Sequence, residues 1–176
     1  MALTLDLYGE APESIVDGPG LRYSNFEQGC PHHCAGCHNP QAHAFGTGYK
    51  KTTDELFSAI KENPLLSGVT FSGGEPFCQA EALCELAHAI KILRLNIYIY
   101  SGYTIEQLLE KAAQDPFIKE LLQLCDTLVD GPYIEQQRNL ELLFRGSENQ
   151  RIIDLHTWPG IKNYTPGLFV ISSHLL

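Results

Sequence analysis

Short runs rich in β-branched and aromatic residues take turns with amphipathic stretches along this chain, and that rhythm rules out most folds. "LRYSNF" from Leu21, "GVTFS" from Gly68, "NIYIYS" from Asn96, "TLVD" from Thr127 and "RIIDL" from Arg151 have the composition of strands. Between them, "TTDELFSAIKEN" opens with Thr52 and Glu55 in capping-box spacing and carries an apolar stripe of Leu56, Phe57 and Ile60. In the segment from Ala80 to Leu93, the residues Leu83, Leu86, Ala87, Ile90 and Leu93 share one helical face. "TIEQLLEKAA" repeats the cap with Thr104 and Gln107, and "DPFIKELLQ" puts Pro116 at a first helical position. Strand, helix, strand in repetition predicts an α/β fold with mostly parallel strands and right-handed crossovers, whose sites assemble at the carboxyl ends of the strands. The strand count alone does not separate an open barrel from a doubly wound sheet.

At 176 residues, without repeats or a Pro/Gly/Ser-rich linker, the chain is expected to form a single domain spanning 1–176. A formal net charge of -9 with no Lys/Arg cluster argues against nucleic acid as a partner, because that binding rests on neutralising phosphates. The amino-terminal "MALTLDLYGEAPESIVDGPG" has no basic start and no long apolar run, so it does not read as a signal peptide, and a cytoplasmic location is expected. No apolar stretch has the length of a membrane span. Six cysteines in such a chain point to metal binding or catalysis rather than to disulfides.

The segments after the strands are "GCPHHCAGCHNP" from Gly29, "SGGEP" from Ser72, "SGYT" from Ser101 and "DGPY" from Asp130. Each of the last three is weak alone, since Gly and Pro also mark ordinary turns. The first is stronger: Cys30, Cys34 and Cys37 lie in one loop with C-x3-C-x2-C spacing. Thiolates are the usual ligands of zinc and of iron–sulfur clusters, and three of them leave one position open to a ligand. A zinc site completed by His32, His33, His38 or His43, or three unligated thiols, also satisfies the spacing. Cys78, Cys84 and Cys125 read as buried small hydrophobes.

Together the cysteine run and "SGGEP" resemble the two hallmarks of the radical S-adenosylmethionine (radical SAM) enzymes. With "DGPGLR" from Asp17, "GCHNP", "SGYT", "LVDGPY" and "FRGSENQRIID", the chain is similar to the activating proteins of anaerobic ribonucleoside-triphosphate reductases, from about Asp17 to Asp154; residues 155–176 form an unmatched extension. The resemblance implies an open partial (β/α) barrel and one [4Fe–4S] cluster held by Cys30, Cys34 and Cys37, since no further cysteine-rich insert is present. It implies S-adenosyl-L-methionine as cofactor, chelated at the open iron and cleaved by one electron to methionine and a 5′-deoxyadenosyl radical. That radical would take a hydrogen atom from a glycine of the partner, a glycyl radical enzyme, most simply the large subunit of the anaerobic reductase. A low-potential flavodoxin or ferredoxin would supply the electron.

The resemblance also implies roles for particular residues. Gly73, Gly74 and Glu75 would receive the methionine amino group, and Gly36 and His38 would lie at the adenine. Gly36 stands where most of the superfamily has an aromatic residue, so that packing passes to His38. Ser101 would lie along the cofactor, while Asp17, Asp130, Arg145 and Arg151 would hold the partner's glycine-bearing loop. Two other functions compete: a short radical SAM enzyme acting on a small molecule, of the deazaguanine synthase type, and a non-catalytic zinc-binding module.

Overall fold

The computed structural model describes residues 2–161. It contains one seven-stranded sheet whose strands are β1 (Thr4–Ser14), β2 (Arg22–Glu27), β3 (Tyr49–Thr52), β4 (Gly68–Gly73), β5 (Asn96–Tyr100), β6 (Thr127–Asp130) and β7 (Arg151–Asp154), in the order β3-β1-β2-β4-β5-β6-β7. The central pairs β2–β4, β4–β5 and β5–β6 are parallel, as the strand–helix rhythm predicts. Both flanks are antiparallel: β1 pairs with β2 and β3, and β7 pairs with β6.

The flanks are where the sequence reading falls short. β1 begins with alternating Leu5 and Leu7, but its second half, "GEAPES", has lost the pattern of a strand. β3 is "YKKT", an edge strand whose lysines are not apolar signals. β7, read from "RIIDL" as a strand without a direction, returns antiparallel. The connection from 131 to 150 contains only the 3-10 turn Glu135–Gln137, and a parallel return needs a longer crossover, usually a helix.

Helices α1 (Thr53–Glu62), α2 (Ala80–Ile92), α3 (Ile105–Ala112) and α4 (Pro116–Leu124) form where their caps and stripes place them. Thr52 and Thr104 each complete the reciprocal capping box, with Glu55 and Gln107. Asp115 caps α4 by accepting from the Phe117 and Ile118 amides. Leu83, Leu86 and Ile90 of α2 are fully buried in one cluster with Leu56 and Ile60, Leu121, and Val69, Phe71, Ile97 and Ile99 from the sheet. Cys84 and Cys125 are buried as expected, whereas Cys78 is exposed.

Side chains alternate along a strand, so the opposite face of β2 carries Arg22, Ser24 and Phe26. Arg22 is fully buried and organises the loop before it. Its Nε donates to Thr70 Oγ1 at 2.7 Å and its Nη1 to the Pro19 carbonyl at 3.1 Å; Thr70 in turn donates to the Asp17 carbonyl at 2.8 Å. Its guanidinium also lies 4.6 Å from the centre of the Tyr98 ring. Burial lowers the Arg22 pKa to about 10. The "DGPGLR" motif thus has a structural purpose: it fixes Asp17 beside the sheet.

Candidate functional site

At the carboxyl ends of the parallel strands a cavity of about 400 Å³ opens, bordered by Phe26, Ser72 and Tyr100, neighbours across β2, β4 and β5. Cys30, Cys34 and Cys37 all line it, together with His38, Gly73, Gly74, Ser101, Asp17 and Arg145. None of the six cysteines is in a disulfide. Burial pushes the Cys30 thiol up, so its thiolate would have to come from coordination to a metal. No group of three or more His, Cys, Asp or Glu side chains converges on a single-ion site among the described residues, so a preassembled Cys3His zinc site is not among them. Three free thiols on one cavity wall are a donor set suited to the corners of an iron–sulfur cluster.

The cysteine loop is fixed by backbone contacts that only glycine permits. Gly74 N donates to the Glu27 carbonyl at 2.7 Å and Glu75 N to the Gly29 carbonyl at 2.8 Å. A Cβ on Gly74 would stand 2.3 Å from that Gly29 oxygen, and one on Gly73, whose φ is +95°, would stand 2.4 Å from the Glu27 nitrogen. The glycines of "SGGEP" therefore let two loops pack main chain against main chain.

Glu75 lies outside the cavity lining, fully buried beneath it. Its carboxylate accepts from Ser101 Oγ at 2.9 Å, Gly102 N at 2.9 Å and Phe77 N at 3.2 Å, and His32 Nε2 is 2.7 Å away. One acid thus joins the cysteine loop, the loop after β4 and the loop after β5. His32, which the sequence offered only as a zinc ligand, belongs to this network. The pattern could not reveal it, because its partner is forty-three positions away.

Asp130 and Arg151 are also outside the lining. Asp130 is buried and accepts from Ile105 N at 2.7 Å at the start of α3, while Arg151 donates to Asp130 Oδ1 at 3.0 Å and to Glu106 Oε2 at 2.8 Å. These two residues, expected at a partner's loop, tie β6, β7 and α3 together. The "RGSENQ" segment is stitched to "DGPY": Gln150 Nε2 donates to the Gly131 carbonyl at 3.1 Å and Asn149 Nδ2 to the Pro132 carbonyl at 2.8 Å. That brings Arg145 and Tyr133 to the cavity wall. Gly36 adopts a φ of +71° outside the lining, while Tyr133, which borders the cavity, has its ring centre 5.1 Å from that of His38.

A family profile described as "4Fe-4S single cluster domain" matches residues 16–153. The "Anaerobic ribonucleoside-triphosphate reductase-activating protein" of Vibrio cholerae is 33% identical over 149 residues, covering 80% of this chain and 92% of that protein. The chain belongs to this family of activating proteins. Other members include proteins of the same name from Haemophilus influenzae, 29% identical over 155 residues covering 80% and 92% of the two chains, and from Enterobacteria phage T4, 30% identical over 148 residues covering 80% and 88%. A crystal structure of QueE from Escherichia coli overlaps 57% of this chain and 53% of its own, at 17% identity and a TM-score of 0.43, a likeness too slight to bear on fold or reaction. Family membership matches the cavity's donor set. Among the described residues no helix is long and apolar enough to cross a membrane.

Proposed function

We propose that this chain is a radical SAM activase that generates a glycyl radical on a partner enzyme, the anaerobic ribonucleoside-triphosphate reductase, with a low-potential flavodoxin or ferredoxin as electron donor. The observation that carries it is the convergence of three free thiols of one loop on a cavity shared with "SGG" of the next strand end, in a chain of the activating-protein family. We read the sheet as the open partial barrel of a single radical SAM domain.

Cys30, Cys34 and Cys37 would hold one [4Fe–4S] cluster, with S-adenosyl-L-methionine at the remaining iron. When bound, that pair supplies one-electron cleavage of the sulfonium and an agent able to abstract hydrogen. The chain's own work is placement. Gly73 and Gly74 bring main chain to the methionine end, and Ser101 borders the same space while its hydroxyl is committed to Glu75. Glu75 acts from beneath, as the anchor of three loops rather than as a wall of the cavity. His38 and Tyr133 present rings to the cavity for the adenine. Asp17 and Arg145, one carboxylate-bearing and one guanidinium-bearing residue of the lining, suit an extended peptide, whose amides and carbonyls need an acceptor and a donor.

The test is anaerobic incubation of the reduced protein with S-adenosyl-L-methionine and the reductase, followed by electron paramagnetic resonance. A glycyl doublet and 5′-deoxyadenosine are expected, and Cys34→Ala abolishes both along with the brown colour. Formation of 5′-deoxyadenosine without a protein radical would remove the partner assignment; a colourless wild-type protein after anaerobic reconstitution would remove the cluster.

A further inference from the structure

The proposed reaction leaves one ring beside the cysteines without a task. Residues 41–44 run along the start of the cysteine loop and are tied to it four times. Gly29 N donates to the Ala42 carbonyl at 2.7 Å and Cys30 N to the His43 carbonyl at 3.0 Å. The Gln28 amide donates to the carbonyls of Gln41 at 2.9 Å and Ala44 at 2.6 Å. The imidazole held this way, His43, borders the same cavity as Cys30, Cys34 and Cys37, and packs edge-on against His33 with ring centres 5.1 Å apart. Its Nε2 is shielded from water and has no hydrogen-bond partner among the described residues.

A buried ring nitrogen with no partner is unfavourable unless the assembled site supplies one. Other buried polar atoms are also unpaired, but those of Asn25 and Glu27 alternate with Phe26 and so belong to the other face of β2. His43 sits on the cavity wall with the thiols; Arg145, whose Nε is also unpaired there, is held through Nη1 by the Gln150 carbonyl, whereas the His43 ring has no hydrogen bond through Nε2. The sulfurs of a cluster held there are hydrogen-bond acceptors, and hydrogen bonds to them are one of the levers that set a cluster's potential. Resting on the cluster reading above, we propose that His43 donates its Nε2–H to a sulfur of the bound cluster and thereby raises its reduction potential. The direction follows from charge: the donated bond favours the reduced, more electron-rich cluster. His43 is in this account a tuning residue, neither an iron ligand nor a group that touches the reacting atoms.

Redox titration of the anaerobically reconstituted full chain, read by electron paramagnetic resonance, tests this without reference to turnover. His43→Phe removes the donor and is expected to move the midpoint to more negative potential at unchanged iron content. His43→Gln, which keeps an amide donor, should fall between that variant and wild type. Equal midpoints in all three proteins at equal loading would overturn the proposal. Should His43→Phe take up no cluster, pulsed resonance on protein carrying 15N-labelled histidine decides instead. A nitrogen coupling present in wild type and lost in His43→Gln supports the bond, and identical spectra overturn it. Failure of the wild type to hold any cluster is a separate result, which would overturn the proposed function and not merely the role of His43.

Discussion

Glu75 draws together donors from three loops, and its removal should be felt as stability before it is felt as chemistry. Glu75→Ala would leave the Ser101 hydroxyl and the amides of Gly102 and Phe77 without their acceptor in a buried place. Unsatisfied groups of this kind cost about 1–3 kcal/mol each, so a loss of about 3 kcal/mol is expected from chemical denaturation, with lower iron uptake. A second buried acid gives a pH signature. Burial pushes the Glu27 carboxyl well above the usual carboxylate range, outweighing the opposite pull of the Glu27 and Ser72 backbone amides. Its folded pKa therefore exceeds its unfolded one, the unfolded state binds fewer protons between the two, and stability falls as pH rises through that window. Glu27→Gln should accordingly be more stable than wild type at pH 8 and gain nothing at pH 4; denaturation at both values checks it, and a gain independent of pH would contradict the assignment. At this scale the gathering of the three cysteines at one strand end was legible from their spacing. The duty of Glu75 was not, because a motif shows that an acid is present without showing which way its oxygens face.

The same division holds for elements. The helices were legible down to their caps, since Thr52, Thr104 and Asp115 act on amides two or three positions away. Of the outer strands, β7 was legible as "RIIDL", whereas β1 and β3 were not; β3 is four residues long and is defined by a partner distant in the chain. Arg151 shows the consequence. Beside "RGSENQ" it read as a hand for the partner's loop, yet it pairs with the buried Asp130 and the exposed Glu106. The Arg151 guanidinium holds the Glu106 carboxyl down at about 2, although that surface partner is well hydrated and contributes little. The Asp130 arm matters more: Arg151→Met strands a buried carboxylate and should cost about 2 kcal/mol, less than the loss typical of a fully buried pair because the arginine is partly exposed. Asp130→Asn with Arg151→Met should recover part of that loss in a double-mutant cycle. Cofactor cleavage per loaded chain should be unchanged, and a selective loss of reductase activation would return Arg151 to the partner's loop.

For the whole molecule, the cavity opens beside an apolar shoulder. Leu140 and Leu143, 82% and 72% exposed, stand next to the cavity-lining Leu142, Phe144 and Arg145. A glycine-bearing segment entering the cavity, as proposed, would pass this shoulder. Leu140→Ser with Leu143→Ser should raise KM for the reductase about tenfold, equivalent to about 1.4 kcal/mol of lost contact. Cleavage of the cofactor driven by a chemical reductant should stay at the wild-type rate, which separates docking from chemistry.

The ties between residues 28–30 and 41–44 close the cysteine loop at its neck, while the sheet lies outside it. That arrangement bears on maturation. A cluster assembled elsewhere and delivered whole can reach its thiols by local opening of residues 31–40, with the neck and the apolar core intact. Loading would then require no global unfolding, and a chain that had lost its cluster would keep the framework for a second delivery. Amide hydrogen exchange should show this as fast exchange inside the loop of the cluster-free protein and slow exchange at Gly29 and Cys30, whose amides form the neck.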